Sequence, residues 1–484
     1  MREFFHGVRV VRNSTPVNAP VTVSSGIVFC VGTAPVHTVS GGGSVNEPIR
    51  ARNFNEAAAA LGYSDDWGKY DICEVMFGLF RDYNTGPAVF VNVLDPARHR
   101  TAVAPVVFTL SGGRAALPLE AIVDTVTVSG YTLGTDYELY YRDGALIFEA
   151  VPGGAITSAV TEVTIGYSAV DPSQVTAADI IGGLDLTTKK RTGLELIETV
   201  FPKYGLLPDL CLCPKWSSNP ATAAVMTAKM ENYNGIFNGV ALIDIDSSVA
   251  AHYEDAVAWK SSNGFVSKRQ VLCWPMVTRG GRTYHMSTHM AGLITREDFA
   301  NENVPSESPS NKPLLIGSMV LADGTEVFLD LQEANYLNAN GITTALNFRG
   351  WVLWGNYTAA YPNGSDDPYE HFLYAVRMGD WLSNTIILSH WGRIDGKLNE
   401  RLIESILDTV NIWFNGLATD QHLIGGRAEF PGGFNTVESF RQGKIRFILY
   451  YAVQGIAQEI THELTFDPQY IEDLLAALAG GGGA

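Results

Sequence analysis

Short apolar runs set off by glycine or turn residues, alternating with helix signals, constrain this chain more than any other feature. Residues 26–32 read GIVFCVG, 88–93 AVFVNV, 210–213 LCLC and 240–245 VALIDI. Runs this short and this uniformly apolar fit strands covered on both faces, as in a sheet with helices packed on each side. Between the first two, Asn53 is placed to cap a helix, with Glu56 three residues later and Gly62 as the stop. Residues 73–80, 193–200 and 221–233 also read as helical, and 271–276 and 346–353 complete the strands. Alternating strands and helices predict an α/β domain on a doubly wound or related mixed sheet.

From about residue 103 to 170 the pattern changes. Short alternating runs at 125–128, 137–141, 146–148 and 160–167 are separated by Ser129-Gly130, Asp143-Gly144 and Pro152-Gly153-Gly154, the chemistry of tight hairpins. This predicts an all-β module looped out of the α/β domain, which requires its two ends to lie close together. Asp323-Gly324 marks a further hairpin. From about Tyr369 the texture changes again. Leu398, Leu402, Ile406, Val410, Phe414 and Leu417 recur at nearly four-residue steps, an amphipathic helix with one buried face. Residues 445–453 and 460–466 read as strands, the second with Ile460, Leu464, Phe466 and His462 on one side and Thr461, Glu463 and Thr465 on the other.

Composition narrows the function. The length of 484 residues suggests about three domains. Charged residues make up 17%, below the roughly 25% typical of soluble domains, which leaves more surface suited to burial against partners. A formal charge of -18 would be repelled by a phosphate backbone, so nucleic acid is not an expected partner. The first residues, MREFFHGVRVV, lack the apolar run of a signal peptide, and no stretch approaches the roughly 18 apolar residues of a membrane span. A soluble chain made in the cytosol, without membrane insertion, is expected. Cys30, Cys73, Cys211, Cys213 and Cys273 read as buried thiols. Cys211 and Cys213 lack the second ligand pair of a closed metal site.

A serine-peptidase triad can be drawn from Asp244 or Asp246, His285 or His289, and Ser306, Ser308 or Ser310. Those serines sit in VPSESPSNKP, a proline-broken loop unlike the strand-to-helix elbow of such nucleophiles. His285 and His289 stand four apart, but Met286 occupies the place of the glutamate base in a zinc-protease helix. Gly41-Gly42-Gly43-Ser44 lacks the lysine of a phosphate loop. No catalytic, cofactor-binding or metal-binding residue is expected, and no cofactor.

The termini do not read as featureless tails. Residues 4–23 form an extended arm, with Val8 and Val10, then Val17, Val21 and Val23, broken by Pro16 and Pro20. From Met1 to Arg12 the chain carries three arginines and one glutamate, whereas from Gln454 to the end there is no Lys or Arg and Glu459, Glu463, Asp467, Glu472 and Asp473 are acidic. Only the closing GGGGA reads as a flexible tail. The two charged ends either pair within one subunit or each add a strand to a neighbour's sheet. Repeated, the second contact is head-to-tail and generates an open assembly. Val8, Arg9, Val10 and Arg12 on one arm, and Ile460, Glu463, Leu464 and Phe466 on the other, are the expected inter-subunit contacts.

Four segments in order, HGVRVVRNSTPVNAPVTVSSGIVFCVGTAP (6–35), MAGLITREDFANENVPSESPSNKPLLIG (290–317), LNANGITTALNFRGWVLWGN (337–356) and YAVRMGDWLSNTIILSHWGR (374–393), together resemble the tail sheath proteins of contractile-tailed bacteriophages and tailocins. The resemblance spans nearly the whole chain. It departs where the family continues Trp-Gly with Ala-Arg-Thr; here Trp354-Gly355 is followed by Asn356-Tyr357-Thr358.

The resemblance implies an α/β subtilisin-like main domain with an inserted all-β domain, a C-terminal α+β domain and extended N- and C-terminal strand arms. The implied boundaries are an N-terminal linking arm at 1–23, the α/β core at 24–102 and 171–360, the outer insertion at 103–170, the tube-facing α+β domain at 361–455, and the C-terminal arm with its glycine tail at 456–484. It implies a non-enzymatic subunit that polymerises with itself as stacked hexameric rings in a helical sheath. The implied partners are a tail tube protein and baseplate and tail terminator proteins. The implied place is the virion tail or tailocin particle, after synthesis in the host bacterial cytoplasm. Contraction would drive the tube through the envelope, with no nucleotide or metal consumed. The alternative is a surface-displayed protein whose β insertion recognises a glycan or receptor.

Overall fold

The computed structural model describes residues 22–480. Its largest sheet has eight strands: β1 Val28–Gly32, β2 Pro48–Ala51, β3 Ala88–Asn92, β4 Leu210–Leu212, β5 Val240–Asp244, β6 Gln270–Cys273, β7 Ile342–Asn347 and β8 Trp351–Trp354. They lie in the order β2-β3-β1-β4-β5-β6-β7-β8, parallel from β3 to β7 and antiparallel at both edges. Every residue of β1, β3, β4, β5 and β6 is buried, so the uniformly apolar runs are the central strands of a mixed α/β fold. Residues 346–353 are not one strand: β7 and β8 form a hairpin that turns through Arg349 and Gly350, both at positive φ. The turn escapes a pattern reading because apolar Phe348 and Trp351 flank it.

Helix α1, Phe54–Leu61, begins where its cap predicts. The Asn53 side chain accepts the Glu56 N–H at 3.0 Å, Glu56 accepts the Arg52 N–H, and Gly62 ends the helix at φ +74°. Helices α2, Asp71–Phe77, and α3, Met286–Ala300, bring polar side chains to the carboxyl ends of the central strands.

Residues 100–170 form two three-stranded antiparallel sheets around a buried cluster that includes Leu117, Leu146, Phe148 and Ile165. Arg100 pairs with Val170, so the chain leaves and returns at adjacent positions. His37 Nε2 bonds the Leu119 carbonyl at 2.8 Å, Lys69 pairs with Glu120 at 2.7 Å, and Ile122 belongs to the main core.

Further along, α4 spans Leu373–Trp391 and α5 spans Glu400–Thr419, starting at an Asn399 cap. The amphipathic face of α5 buries Ile406, Val410, Trp413, Phe414 and Leu417. Helix α5 packs on an antiparallel pair, β9 Leu423–Glu429 and β10 Ile448–Val453. Gly426 is required there: a Cβ would lie 2.7 Å from the Phe414 ring.

The chain divides between Val453 and Gln454 into two units. In the second, residues 454–467 adopt no regular secondary structure, and α6, Gln469–Gly480, follows. The strand expected at 460–466 is not formed within the described chain. A strand is defined by a ladder to a partner, and among the described residues no ladder includes these.

Candidate functional site

An open α/β sheet binds ligands in the crevice outside the carboxyl ends of its strands, where strand order reverses. Here that point lies at β1, between β3 and β4. It is filled. Asp71, the first residue of α2, accepts the Thr33 N–H and the Trp216 Nε1–H, each at 2.6 Å. A Cβ on Gly32 would lie 1.9 Å from the Asp71 carboxylate, so only glycine allows this approach. Burial pushes the Asp71 carboxyl up to about 6 against those two donors.

One turn on, Glu74 accepts the His285 backbone N–H and its ring Nδ1–H, both at 2.8 Å, and the Thr288 hydroxyl at 2.7 Å. Burial disfavours the His285 imidazolium, but the Glu74 carboxylate outweighs it and raises the ring pKa. The Lys215 N–H points at Nε2 from 3.1 Å and needs a lone pair there, so the contact geometry is that of a neutral ring donating through Nδ1. At the end of β5, Asp244 accepts the Ser287 N–H at 2.9 Å and the hydroxyls of Ser287 and Ser217 at 2.5 and 3.3 Å. The carboxyl ends of the strands are thus closed by acids, hydroxyls and amides that satisfy one another.

The residues of the drawn triad are not brought together. Asp244 and His285 belong to this plug, and Asp246 bonds Ser248 locally. His289 is buried on α3 with Nδ1 at 3.1 Å from the Tyr83 hydroxyl, and burial holds its pKa down to about 3. Ser306 instead meets His422 Nδ1 at 2.9 Å, Ser308 donates to Asn356, and Ser310 accepts the Gly355 N–H. All five cysteines are buried, and among the described residues no group of His, Cys, Asp and Glu is arranged to hold a metal ion.

A buried ionic clamp escaped the sequence reading altogether. Arg377 on α4 donates to both oxygens of Asp298, at the end of α3, and to Asp209 at 2.6 Å, while Asp209 accepts the Gly26 and Ile27 N–H groups leading into β1. One turn on from Arg377, Trp381 Nε1 donates to the Val23 carbonyl at 2.8 Å. The clamp fixes where the N-terminal segment joins the fold. Val8, Arg9, Val10 and Arg12 lie outside the described residues.

The open surfaces lie toward the C-terminus. β9 and β10 form a two-stranded sheet, and an isolated pair of this kind is at best marginally stable without further packing. Arg427, Arg441, Lys444 and Arg446 lie exposed on and beside it. In the second unit Ile460, Leu464 and Phe466 are 72, 99 and 78% exposed, and Glu463 is exposed among them. Tyr470, Ile471, Leu474, Leu475 and Leu478 form an exposed apolar stripe along α6.

No family model matches the sequence. Curated relatives do. The tail sheath protein of Burkholderia phage BcepMu is 27% identical over 99% of both chains. The major tail sheath protein of Serratia phage KSP20 is 25% identical over 67% of this chain and 80% of its own. Among solved structures, the helical sheath of the anti-feeding prophage in its contracted state aligns over 95% of this chain and 99% of its own, with a TM-score of 0.56 at 14% identity. The contracted PVC sheath complex of an extracellular contractile injection system aligns over 97% and 100%, with a TM-score of 0.54 at 11% identity. These structures share the fold.

Proposed function

We propose that this chain, a relative of phage tail sheath proteins over its whole length, is the structural subunit of a contractile tail sheath. In this reading subunits polymerise as stacked hexameric rings around a tail tube protein and meet baseplate and tail terminator proteins at the two ends. They shorten as they rotate outward, driving the tube through the bacterial envelope. The work resides in alternative packings of one fold, since packed interfaces switch between discrete arrangements. The particle is a virion tail or a tailocin, assembled from chains made in the host cytoplasm. The relatives that match give the displayed-receptor alternative no counterpart.

The same reading extends to architecture. The α/β part, 24–102 and 171–360, is subtilisin-like; 103–170 lies outermost; 361–455 faces the tube; and 1–23 and 456–484 are linking arms. The observation that carries the proposal is the second unit, whose alternating apolar residues Ile460, Leu464 and Phe466 stand exposed on a segment that pairs with no strand among the described residues. Burial is worth about 25 cal/mol per Å² of apolar surface. Strands from two neighbouring subunits, laid along the outer edges of β9 and β10, would supply that burial and give a four-stranded sheet, with Val8, Arg9, Val10, Arg12, Ile460, Glu463, Leu464 and Phe466 as contacts. The contact is head-to-tail and therefore open-ended.

Ending the chain after Glu459 tests this. The truncated protein is expected to remain folded and soluble and to form no cylinders. Normal cylinders in negative-stain micrographs of that protein would overturn the arm reading.

A further inference from the structure

Outside the plug and the clamp, the helix Tyr253–Ser262 carries a buried lysine, Lys260, which is 7% exposed and borders a cavity of about 160 Å³. We propose that Lys260 is a covalent modification site, a nucleophilic amine that takes a short uncharged acyl group from an acyl phosphate. This role is independent of the sheath reading.

The hydrogen bonds suit a free amine. Nζ donates to the carbonyls of Asn340 and Tyr361 at 2.6 and 2.7 Å, and among the described residues it has no other acceptor. An ammonium has three hydrogens to place, a neutral amine two. Two carbonyls therefore satisfy the neutral form completely and leave its lone pair as a nucleophile. A protonated Lys260 holds its third N–H without a protein acceptor, in a place where burial penalises an unmet donor. No carboxylate offsets the charge: burial is the one cause acting on the pKa, and it lowers it to about 8. The backbone is also shaped around the amine. Gly341 stands at φ +67°, and a Cβ there would lie 2.8 Å from Nζ and 2.6 Å from the Tyr361 carbonyl oxygen, so glycine is what lets the lysine reach both carbonyls.

The cavity decides which electrophile fits. Val257, Phe265, Ala359 and Pro362 give it apolar walls, and Ser261 and Asn363 add polar groups. A carbamate or a dicarboxylic acyl group would bring a negative charge beside two carbonyl oxygens, where no charged group acts on Nζ. An acetyl or propionyl group stays neutral and occupies apolar space. In the reaction the Nζ lone pair attacks the acyl carbon and the C–N bond forms. The bond from that carbon to the phosphate oxygen breaks, inorganic phosphate leaves, and a proton passes from Nζ to water. The product amide keeps one N–H, enough for one of the two carbonyls.

At pH 7.4 a pKa of about 8 leaves about 200 times more free amine than an ordinary lysine has. The weaker base is the weaker nucleophile, which takes back roughly a factor of ten or twenty and leaves an advantage of about tenfold.

The test is incubation of the native full-length chain with acetyl phosphate, with site occupancy over time read by peptide mass spectrometry. Lys189 and Lys190, both exposed, are the internal references. Lys260 should acetylate about tenfold faster than either at pH 7.4. Its rate should level off above about pH 8 while theirs keep rising toward pH 10. In denaturing urea the advantage should vanish. Lys260 acetylating no faster than the references, or not at all, would overturn the proposal, as would a rate still climbing at pH 10 or an advantage that survives unfolding. Succinic anhydride should modify Lys189 and Lys190 ahead of Lys260; the reverse order would overturn the choice of an uncharged group.

Discussion

Replacing Arg377 with methionine would test the buried clamp. The Arg377 side chain is 3% exposed, Asp298 2% and Asp209 16%. Methionine keeps most of the packing stem but leaves two carboxylates facing each other without a cation. Removing one partner of a buried pair costs about 3–5 kcal/mol, because the remaining charge is stranded. Burial already pushes the Asp298 carboxyl above its usual range, so in the variant it binds a proton instead of standing charged. That places the loss near 3 kcal/mol at pH 7. The sign with pH follows. A carboxyl whose folded pKa exceeds its unfolded value weakens the fold above the unfolded pKa and is relieved as pH falls. The variant should therefore lose less at pH 5 than at pH 7, and adding Asp298→Asn should recover most of the pH 7 loss. Urea unfolding followed by tryptophan fluorescence reads all three proteins. A loss under about 1 kcal/mol at pH 7, or one equal at both pH values, would show that the clamp does not operate as a buried charge network.

Lys260 is buried with its ammonium on the carbonyls of Asn340 and Tyr361, 2.6 and 2.7 Å away, and burial lowers its pKa to about 8. Its folded pKa lies below the unfolded one, so the wild type gains stability as pH rises from about 8 toward 10.5. Relative to Lys260→Met, the wild type should gain about 1.5 kcal/mol between pH 8 and 9.5, read as the difference of two urea titrations; parallel curves would refute it. Replacing residues 103–167 by Asn-Gly joins Ala102 to Ser168, which already face each other across the ladder. The product should fold with a loss of about 2–4 kcal/mol, chiefly from removing Ile122 from the main core. In the sheath reading it should still form cylinders; a folded product that does not assemble would make residues 103–170 a bridge between subunits.

What the sequence discloses depends on how local the physics is. β1 is legible because a strand buried on both faces must be apolar throughout, and α1 is legible because Asn53, Glu56 and Gly62 satisfy its ends within a few residues. The hairpin of β7 and β8 is not, because its turn uses Arg349 and Gly350 instead of a recognisable Asn-Gly or Asp-Gly pair. The plug at the strand ends and the clamp are invisible for a different reason. Asp71, Glu74, Asp209 and Asp298 look like surface acids until partners 79 to 214 residues away bury them. The segment 460–466 has the alternation of a strand, but alternation encodes two faces and not the presence of a partner.

The distribution of unmet interactions carries the functional argument further. A binding or catalytic crevice keeps polar groups available to a ligand while apolar surface is buried elsewhere. The crevice at the strand ends and the C-terminal surface of this chain do the reverse. At the strand ends, Asp71, Glu74 and Asp244 are each engaged by two or three internal donors and a Cβ at Gly32 would collide with one of them, so a ligand there would have to break existing bonds. Toward the C-terminus, Leu464 and its neighbours, and the stripe along α6, expose large apolar side chains that solvent does not reward. Their exposure is relieved only by surface from another molecule or by a change in the chain's own packing. The truncation after Glu459 separates these two cases: if the exposed residues serve neighbours, the shortened chain keeps its folding stability and loses association, whereas if they pack at home it loses stability as well.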